Sequence, residues 1–119
     1  MEINIITINE IEIAEVKSDK IIINNTQDAL DIMADCSYQG ATSIIFYQEN
    51  ITADFFDLKT KLAGDILQKF STYNIRVAIV GDFSNYNSKS LNDFIYESNK
   101  VGRVNFVDTL SQAQEKLSR

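Results

Sequence analysis

The chain contains no histidine, and this absence removes more kinds of chemistry than any other feature of its composition. Without an imidazole there is no Ser-His-Asp or Cys-His catalysis, no usual zinc site and no histidine proton shuttle. Proline is absent too, so no turn is stiffened by a proline ring. Glycine-rich phosphate-binding motifs and paired cysteines are also missing, and the sequence therefore predicts no cofactor and no resident metal.

Only one cysteine is present, Cys36, and a single cysteine cannot form a disulfide within the chain. An acidic residue stands second in the sequence, among alternating isoleucines, so no signal peptide is recognised. No apolar run approaches the roughly 20 residues that a membrane-spanning helix requires. These features together predict a cytoplasmic protein.

The charge balance argues against two classes of partner. Seventeen acidic residues against eleven basic ones give a formal net charge of −6, which opposes binding to nucleic acid or to an anionic membrane surface. The length of 119 residues fits a single domain over residues 1–119, with 45% hydrophobic residues to build its core. We therefore expect a protein partner or self-association, with a small anion as a further option.

Apolar runs alternate with segments of helical periodicity, which predicts a layered α/β domain. The predicted strands are Ile3 to Ile8, Ile11 to Val16, Ser43 to Tyr47, Ile75 to Val80 and Val104 to Val107, with a further short run at 21–23. Helices are predicted after the capping candidates Asn25 and Thr26, over the stripe Leu62, Ala63, Ile66, Leu67 and Phe70, from Ser90, and from Thr109 with Gln112. This order requires right-handed crossovers and a mixed sheet, with an N-terminal β-hairpin and helices packed against the sheet.

The segment from Phe55 to Phe83 contains an acidic loop, an amphipathic helix and a buried strand in direct succession. Asp57, Lys59, Thr60 and Lys61 precede the helix, and Thr60 is a candidate for its N-cap. Polar groups therefore gather where the carboxyl ends of parallel strands open a crevice.

Two glycines in this region need an explanation. Gly64 lies inside the predicted helix, where glycine costs roughly 1 kcal/mol relative to alanine, so we expect close packing of the helix against a strand. Gly81 and Asp82 end a strand and are followed by Ser84. A turn uses these residue types, glycine for a positive φ and Asp or Ser for local hydrogen bonds, and we favour it over a catalytic acid at Asp82.

Asp28, Asp31 and Asp35 share one face of the first predicted helix, opposite Cys36. Three carboxylates on one face are able to bind a divalent cation, but cation sites usually draw ligands from several segments. We favour a solvated acidic face. The thiol of Cys36 falls on the apolar stripe, where it is expected to be buried and inert.

Several long motifs are similar to those of a bacterial family of single-domain proteins known only as a domain of unknown function, DUF4180. They are LDIMAD (30–35), FFDLKTKLAGDILQKF (55–70), AIVGDF (78–83) and SKSLNDFIYESN (88–99). This resemblance implies no activity. It leads us to expect glycine at position 61, where this chain has Lys61.

The segment from Asp57 to Leu62 also resembles the STAS domains of anti-sigma-factor antagonists. Those domains place a phosphorylatable Ser or Thr at the start of the helix that follows a central strand, and Asp57, Thr60 and Leu62 fall on comparable positions. The resemblance implies a STAS-like fold and a switch at Thr60.

Two functions remain open from the sequence. The first is a non-enzymatic, STAS-like module that binds a protein partner. The second is a sensor or enzyme that binds a small anion with Lys59, Lys61, the amides near Thr60 and Asp82. The candidate binding surface consists of Asp57, Lys59, Thr60, Lys61, Gly64, Asp82, Ser84 and Lys89.

Overall fold

Five strands form one mixed sheet in the computed structural model, which describes residues 1–119. They are β1 (Glu2–Ile8), β2 (Ile11–Lys17), β3 (Ser43–Tyr47), β4 (Arg76–Val80) and β5 (Val104–Val107), and they lie side by side in chain order. β1 pairs antiparallel with β2, and each later neighbouring pair is parallel. The predicted mixed sheet with an N-terminal hairpin is therefore confirmed.

The hairpin turn has two residues, Asn9 and Glu10, with φ angles of 51° and 68°. A two-residue turn with positive φ at both positions has the twist that matches right-handed strands. It aligns Ile8 with Ile11, so alternate residues of both strands face the same side of the sheet.

Four helices cover the sheet: α1 (Thr26–Tyr38), α2 (Leu62–Thr72), α3 (Lys89–Val101) and α4 (Leu110–Leu117). The buried residues of α1, α2 and α3 belong to one large core cluster, whereas Ala113 and Leu117 of α4 belong to a second, smaller one. Right-handed crossovers between strands in sequential order place the three connecting helices on the same face. The last helix closes the opposite face.

Both faces of the inner strands are therefore buried, which explains their continuous apolar sequences. In β3, Ile44 and Phe46 point to the larger cluster while Ile45 points to the smaller one. β4 lies between β3 and β5, in agreement with the interior position expected of its sequence.

Side-chain caps mark the starts of three helices. The Asn25 side chain accepts a hydrogen bond from the Asp28 amide at 2.8 Å, and Thr109 forms a capping box with Gln112. The caps at Asn25 and Thr109 agree with the sequence signals, whereas Thr26, the other candidate for α1, is the first residue of the helix.

The predicted start of α3 was wrong by two residues. Ser88 is the N-cap, and its hydroxyl accepts from the Leu91 amide at 3.1 Å. Ser90 already lies inside the helix, because Ser88 satisfies the free amide of the first turn two residues earlier.

The apolar run at 21–23 does not form a strand of the sheet. Ile23 makes one isolated bridge to Ile51, and the amide of Ile22 donates to the Asn50 carbonyl at 2.8 Å. The buried Asn50 side chain donates in turn to the carbonyls of Ser18 and Lys20, both at 2.9 Å. These contacts hold the segment after β2 against the loop after β3. The segment therefore stabilises that loop and does not extend the sheet.

Candidate functional site

Two loops meet at the carboxyl ends of the parallel strands. The β3–α2 loop (residues 48–61) folds into three short 3-10 turns, at Gln48–Asn50, Ala53–Phe56 and Leu58–Thr60. The β4–α3 loop (residues 81–88) is shorter and irregular. Both loops follow adjacent strands, so their starting points are neighbours at one edge of the sheet.

Gln48 bridges the two loops with both ends of its amide. Its Oε1 accepts a hydrogen bond from the Asp82 amide at 3.0 Å, and its Nε2 donates to the Tyr86 hydroxyl at 2.8 Å. A Cβ atom built on Gly81 would lie 2.5 Å from the Cβ of Gln48. Gly81 is therefore required by this close approach.

The predicted reason for Gly81, a positive φ, was wrong. Gly40 and Gly102 are the glycines of the chain with positive φ, and Gly81 is not among them. Local sequence suggested a turn glycine, whereas the constraint comes from Gln48, a residue of another loop.

Aromatic packing joins the same two loops. The ring of Phe56 stacks on that of Tyr86 with ring centroids 5.4 Å apart. Its centroid lies 5.9 Å from that of the Phe83 ring. Phe55 packs on Phe56 edge to face at 5.0 Å, and both phenylalanines are buried. These contacts hold the two loops together as one surface.

An open groove of about 370 Å³ lies in this surface. Its lining residues are Ile21, Gln48, Glu49, Ile51, Ala53, Phe56 and Tyr86. None of the eight residues predicted for the binding surface lines it. The sequence did not single out Gln48 or Tyr86, and their meeting depends on the packing of two separate loops.

Asp82 and Ser84 form a local turn. Asp82 Oδ1 accepts hydrogen bonds from the Ser84 amide at 3.0 Å and from the Ser84 hydroxyl at 2.6 Å. These two bonds favour the charged carboxylate and lower the pKa of Asp82 below its usual value. The arrangement is that of the turn favoured from the sequence, and it is a poor setting for a general acid.

Lys89 is engaged within its own helix. Its Nζ lies 2.8 Å from a carboxylate oxygen of Asp93, one turn further along α3. This hydrogen bond, with the attraction between the two charges, raises the pKa of Lys89. The two side chains form an i, i+4 ion pair on the surface of α3.

Thr60 is not the N-cap of α2, in contrast to the prediction. Its hydroxyl lies 2.7 Å from the carbonyl oxygen of Asp54 and 2.8 Å from that of Asp57, and the Leu62 amide approaches it at 3.3 Å. The N-cap position belongs to Lys61, which makes no side-chain cap. The reason is that Thr60 ends a 3-10 turn, whose N-terminus is capped by the Asp57 side chain.

Lys61 has a left-handed backbone conformation, with φ at 64°. Glycine is favoured in this conformation because it has no Cβ to clash with the backbone. The glycine expected at position 61 therefore has a conformational explanation and does not indicate close approach by a ligand. The side chains of Lys59 and Lys61 are exposed beside it.

The predicted packing role of Gly64 was wrong. Gly64 is exposed, and a Cβ built on it meets no other atom within 4 Å. The buried face of α2 is formed by Ala63, Ile66 and Phe70. Gly64 points away from these residues, because it lies one position, about 100° of helix rotation, beyond Ala63.

The acidic face of α1 is used in local contacts. Asp28 accepts a hydrogen bond from the Asn24 amide at 2.9 Å, and Asp31 accepts one from Gln27 at 2.8 Å. No group of three or more Cys, Asp or Glu side chains in the chain is arranged to hold a metal ion.

Two further ionisable groups are perturbed by burial. Burial, followed by the neighbouring charge of Asp35, raises the pKa of the Cys36 thiol to about 11. Burial also raises the pKa of Tyr47, whose hydroxyl donates a hydrogen bond to Glu15 on the neighbouring strand. The position of Cys36 agrees with the sequence, while the Tyr47–Glu15 pair becomes visible only once β2 and β3 are paired.

No helix of the structure has both the length and the apolar character needed to cross a membrane. Comparisons with curated proteins and with solved structures find no significant match. The family model described as "Domain of unknown function (DUF4180)" matches residues 8–117, which is nearly the whole chain. The chain therefore belongs to the DUF4180 family.

Proposed function

We propose that this chain is a non-enzymatic regulatory module of STAS-like type, which binds a protein partner in the bacterial cytoplasm. The partner docks on the surface formed by the β3–α2 and β4–α3 loops. The observation that carries the proposal is the groove beside Phe56 and Tyr86, which is preformed because Gln48 and the aromatic stack join the two loops. A rigid apolar groove binds without the cost of ordering flexible loops.

The rim of the groove indicates the chemistry of the partner. Glu49 lines the groove, and Asp54 and Asp57 are exposed on the same loop. With an overall charge of −6, the chain attracts a basic surface. A partner segment with an apolar side chain flanked by Lys or Arg fits both features.

The position of Thr60 supports the STAS-like part of the proposal. Thr60 is exposed and stands two residues before α2, the helix that follows the middle strand of the sheet. A phosphate there would add negative charge beside the groove and change the docking of a charged partner.

The anion-binding or enzymatic alternative at this edge has less support. Thr60 already occupies the Leu62 amide, and Ser84 occupies an Asp82 oxygen. No paired acid and base remains free for catalysis among the predicted residues.

The test compares two alanine-to-arginine variants. The partner is first recovered with the wild-type protein, identified by mass spectrometry and purified. Ala53→Arg then places a bulky cation in the groove, while Ala34→Arg makes the same change at an exposed position on α1. We expect Ala53→Arg to weaken binding about tenfold or more and Ala34→Arg to have little effect. Equal affinity of both variants for the partner would overturn the proposed surface.

The switch at Thr60 needs a different design, because Thr60→Asp is not a neutral mimic of phosphothreonine. It would place a carboxylate against the carbonyls of Asp54 and Asp57, which the hydroxyl contacts. We therefore propose mass spectrometry of Thr60 in protein from native cells, in the partner-bound and partner-free fractions. Because added negative charge attracts a basic partner, phosphate enriched in the partner-bound fraction supports the switch. An unmodified Thr60, or equal phosphate in both fractions, contradicts it.

A further inference from the structure

All three arginines of the chain meet at the edge of the sheet opposite to the proposed docking surface. Arg76 opens β4, Arg103 immediately precedes β5, and Arg119 follows α4. They line two adjoining cavities of about 410 and 240 Å³. The other basic residues of the chain are all lysines, so every guanidinium group is concentrated at this edge.

Two of these arginines have no acidic partner. The ion pairs of the chain are Lys89 with Asp93 and Arg119 with Glu115. Arg76 and Arg103 therefore form no ion pair with an Asp or Glu side chain, although the chain has 17 acidic residues. Guanidinium groups that are held in a cavity and not neutralised by the protein attract anions.

Arg76 is held in place by backbone carbonyls. Its Nη2 donates to the oxygens of Gly102 at 3.0 Å and Lys116 at 2.9 Å, and its Nη1 lies 3.5 Å from the Arg119 oxygen. These bonds fix the plane of the guanidinium group while one Nη1 hydrogen remains without a close partner.

Arg103 has unused hydrogen-bonding capacity. Its Nη2 donates to the Asn74 side chain at 3.1 Å, but its Nη1 is shielded from solvent and has no hydrogen-bond partner. A shielded charged donor without a partner is unfavourable. A small rotation of the side chain towards the cavity would let Nη1 reach an oxyanion there.

We propose that this arginine edge binds a small molecule that carries a phosphate group. A phosphate dianion matches the two guanidinium groups without an acidic side-chain partner, those of Arg76 and Arg103, better than a single carboxylate does, and the planar fork of arginine fits its oxygens. Thr42 and Asn74 also line the smaller cavity and add neutral polar groups. The two cavities together leave room for the rest of a phosphorylated metabolite.

This inference is independent of the proposed protein-binding function. The arginine edge lies at the amino ends of the parallel strands, and the groove lies at their carboxyl ends. Either site could be lost by mutation without the other, so the experiments that test them give separate answers.

Inorganic phosphate is the probe for the first experiment. Isothermal titration calorimetry with sodium phosphate, at ionic strength matched with sodium chloride, should give a saturable signal for the wild-type protein. Arg103→Gln should weaken binding about tenfold, and Arg103→Lys should weaken it less because it keeps the charge and loses the fork. Lys20→Gln removes the same charge from an exposed turn near the carboxyl edge and should bind like the wild type.

The absence of saturable binding, or an equal loss in Arg103→Gln and Lys20→Gln, overturns the proposal. Amide chemical shifts of the wild-type protein localise the phosphate without any variant. Shifts confined to the amides of Thr42, Asn74 and Gly102 support the arginine edge. Shifts centred on 59–62 would instead place the anion at the start of α2 and refute the inference.

Discussion

At the scale of the residue, Lys61 adopts a backbone conformation that suits glycine. A left-handed conformation costs a residue with a Cβ roughly 1 to 2 kcal/mol. Lys61→Gly removes this strain but gives the unfolded chain more freedom, so we expect a net gain of about 0.5 to 1 kcal/mol in the free energy of unfolding. Urea denaturation measures the change.

Lys59→Gly is the matched control for this prediction, because it changes a nearby lysine of the same loop. Lys59 does not have a positive φ, so its replacement should leave stability unchanged or lower it. A gain from Lys59→Gly as large as that from Lys61→Gly would show that backbone strain is not the cause.

Replacement of Gly64 by alanine is expected to stabilise the protein. Its surroundings are open and it lies in the first turn of α2, so Gly64→Ala should raise the free energy of unfolding by about 0.5 to 1 kcal/mol. Thermal or urea denaturation of the variant checks this. A loss of stability would show that α2 packs with this position facing a neighbour.

At the scale of the element, the buried thiol of Cys36 on α1 makes the stability of the protein depend on pH in the alkaline range. Its pKa is raised from 9.0 to about 11 in the folded state, so the thiol ionises first in the unfolded chain as the pH rises. The resulting contribution to stability is complete below pH 9 and is lost as the pH rises to about 11.

Urea denaturation of wild type and Cys36→Ala across this pH range tests the coupling. The stability difference between the two proteins should shrink as the pH rises, whereas titration of Tyr47 affects both equally. A constant difference would show that the thiol is not responsible.

The end of β4 is coupled to the loop after β3 through Gly81. Gly81→Ala forces the Gln48 side chain to move and should cost about 1 to 3 kcal/mol. The same change in a Gln48→Gly background should cost much less, because glycine has no Cβ to meet the one added at position 81 and the bridge is already lost. Equal costs in both backgrounds would exclude this coupling.

At the scale of the whole molecule, the fold is built around two core clusters on opposite faces of the sheet, and its single cysteine is free. We therefore expect thermal melts with a chelator, with a reductant and with neither to coincide. A shift of several degrees in either condition would reveal a bound metal or a sulfur bond between chains.

Most of the elements could be predicted from the sequence because their signals are local. Alternating isoleucines and the apolar run in β4 identify strands, and the capping pair Thr109 and Gln112 marks a helix start. The run at 21–23 has the composition of a strand, but it makes only one isolated bridge, from Ile23 to Ile51. Its composition therefore did not predict its structure. Whether such a segment joins a sheet depends on where the rest of the chain leaves an edge free.

None of the residues predicted for the binding surface lines the groove. Polar residues near α2 and after β4 were identified, but the groove is formed by Gln48, Phe56 and Tyr86. Their spacing in the sequence carries no signal, because the two loops are separated by a helix and a strand.

The sequence by itself determined the fold class and the absence of histidine chemistry, because composition and periodicity do not depend on distant contacts. The tertiary structure alone decided that Gly81 accommodates Gln48, that Gly64 is exposed and that three arginines converge. These features depend on strand order and on the rotation of helices against the sheet. Both are set by packing the two faces of the sheet simultaneously, which no single segment encodes.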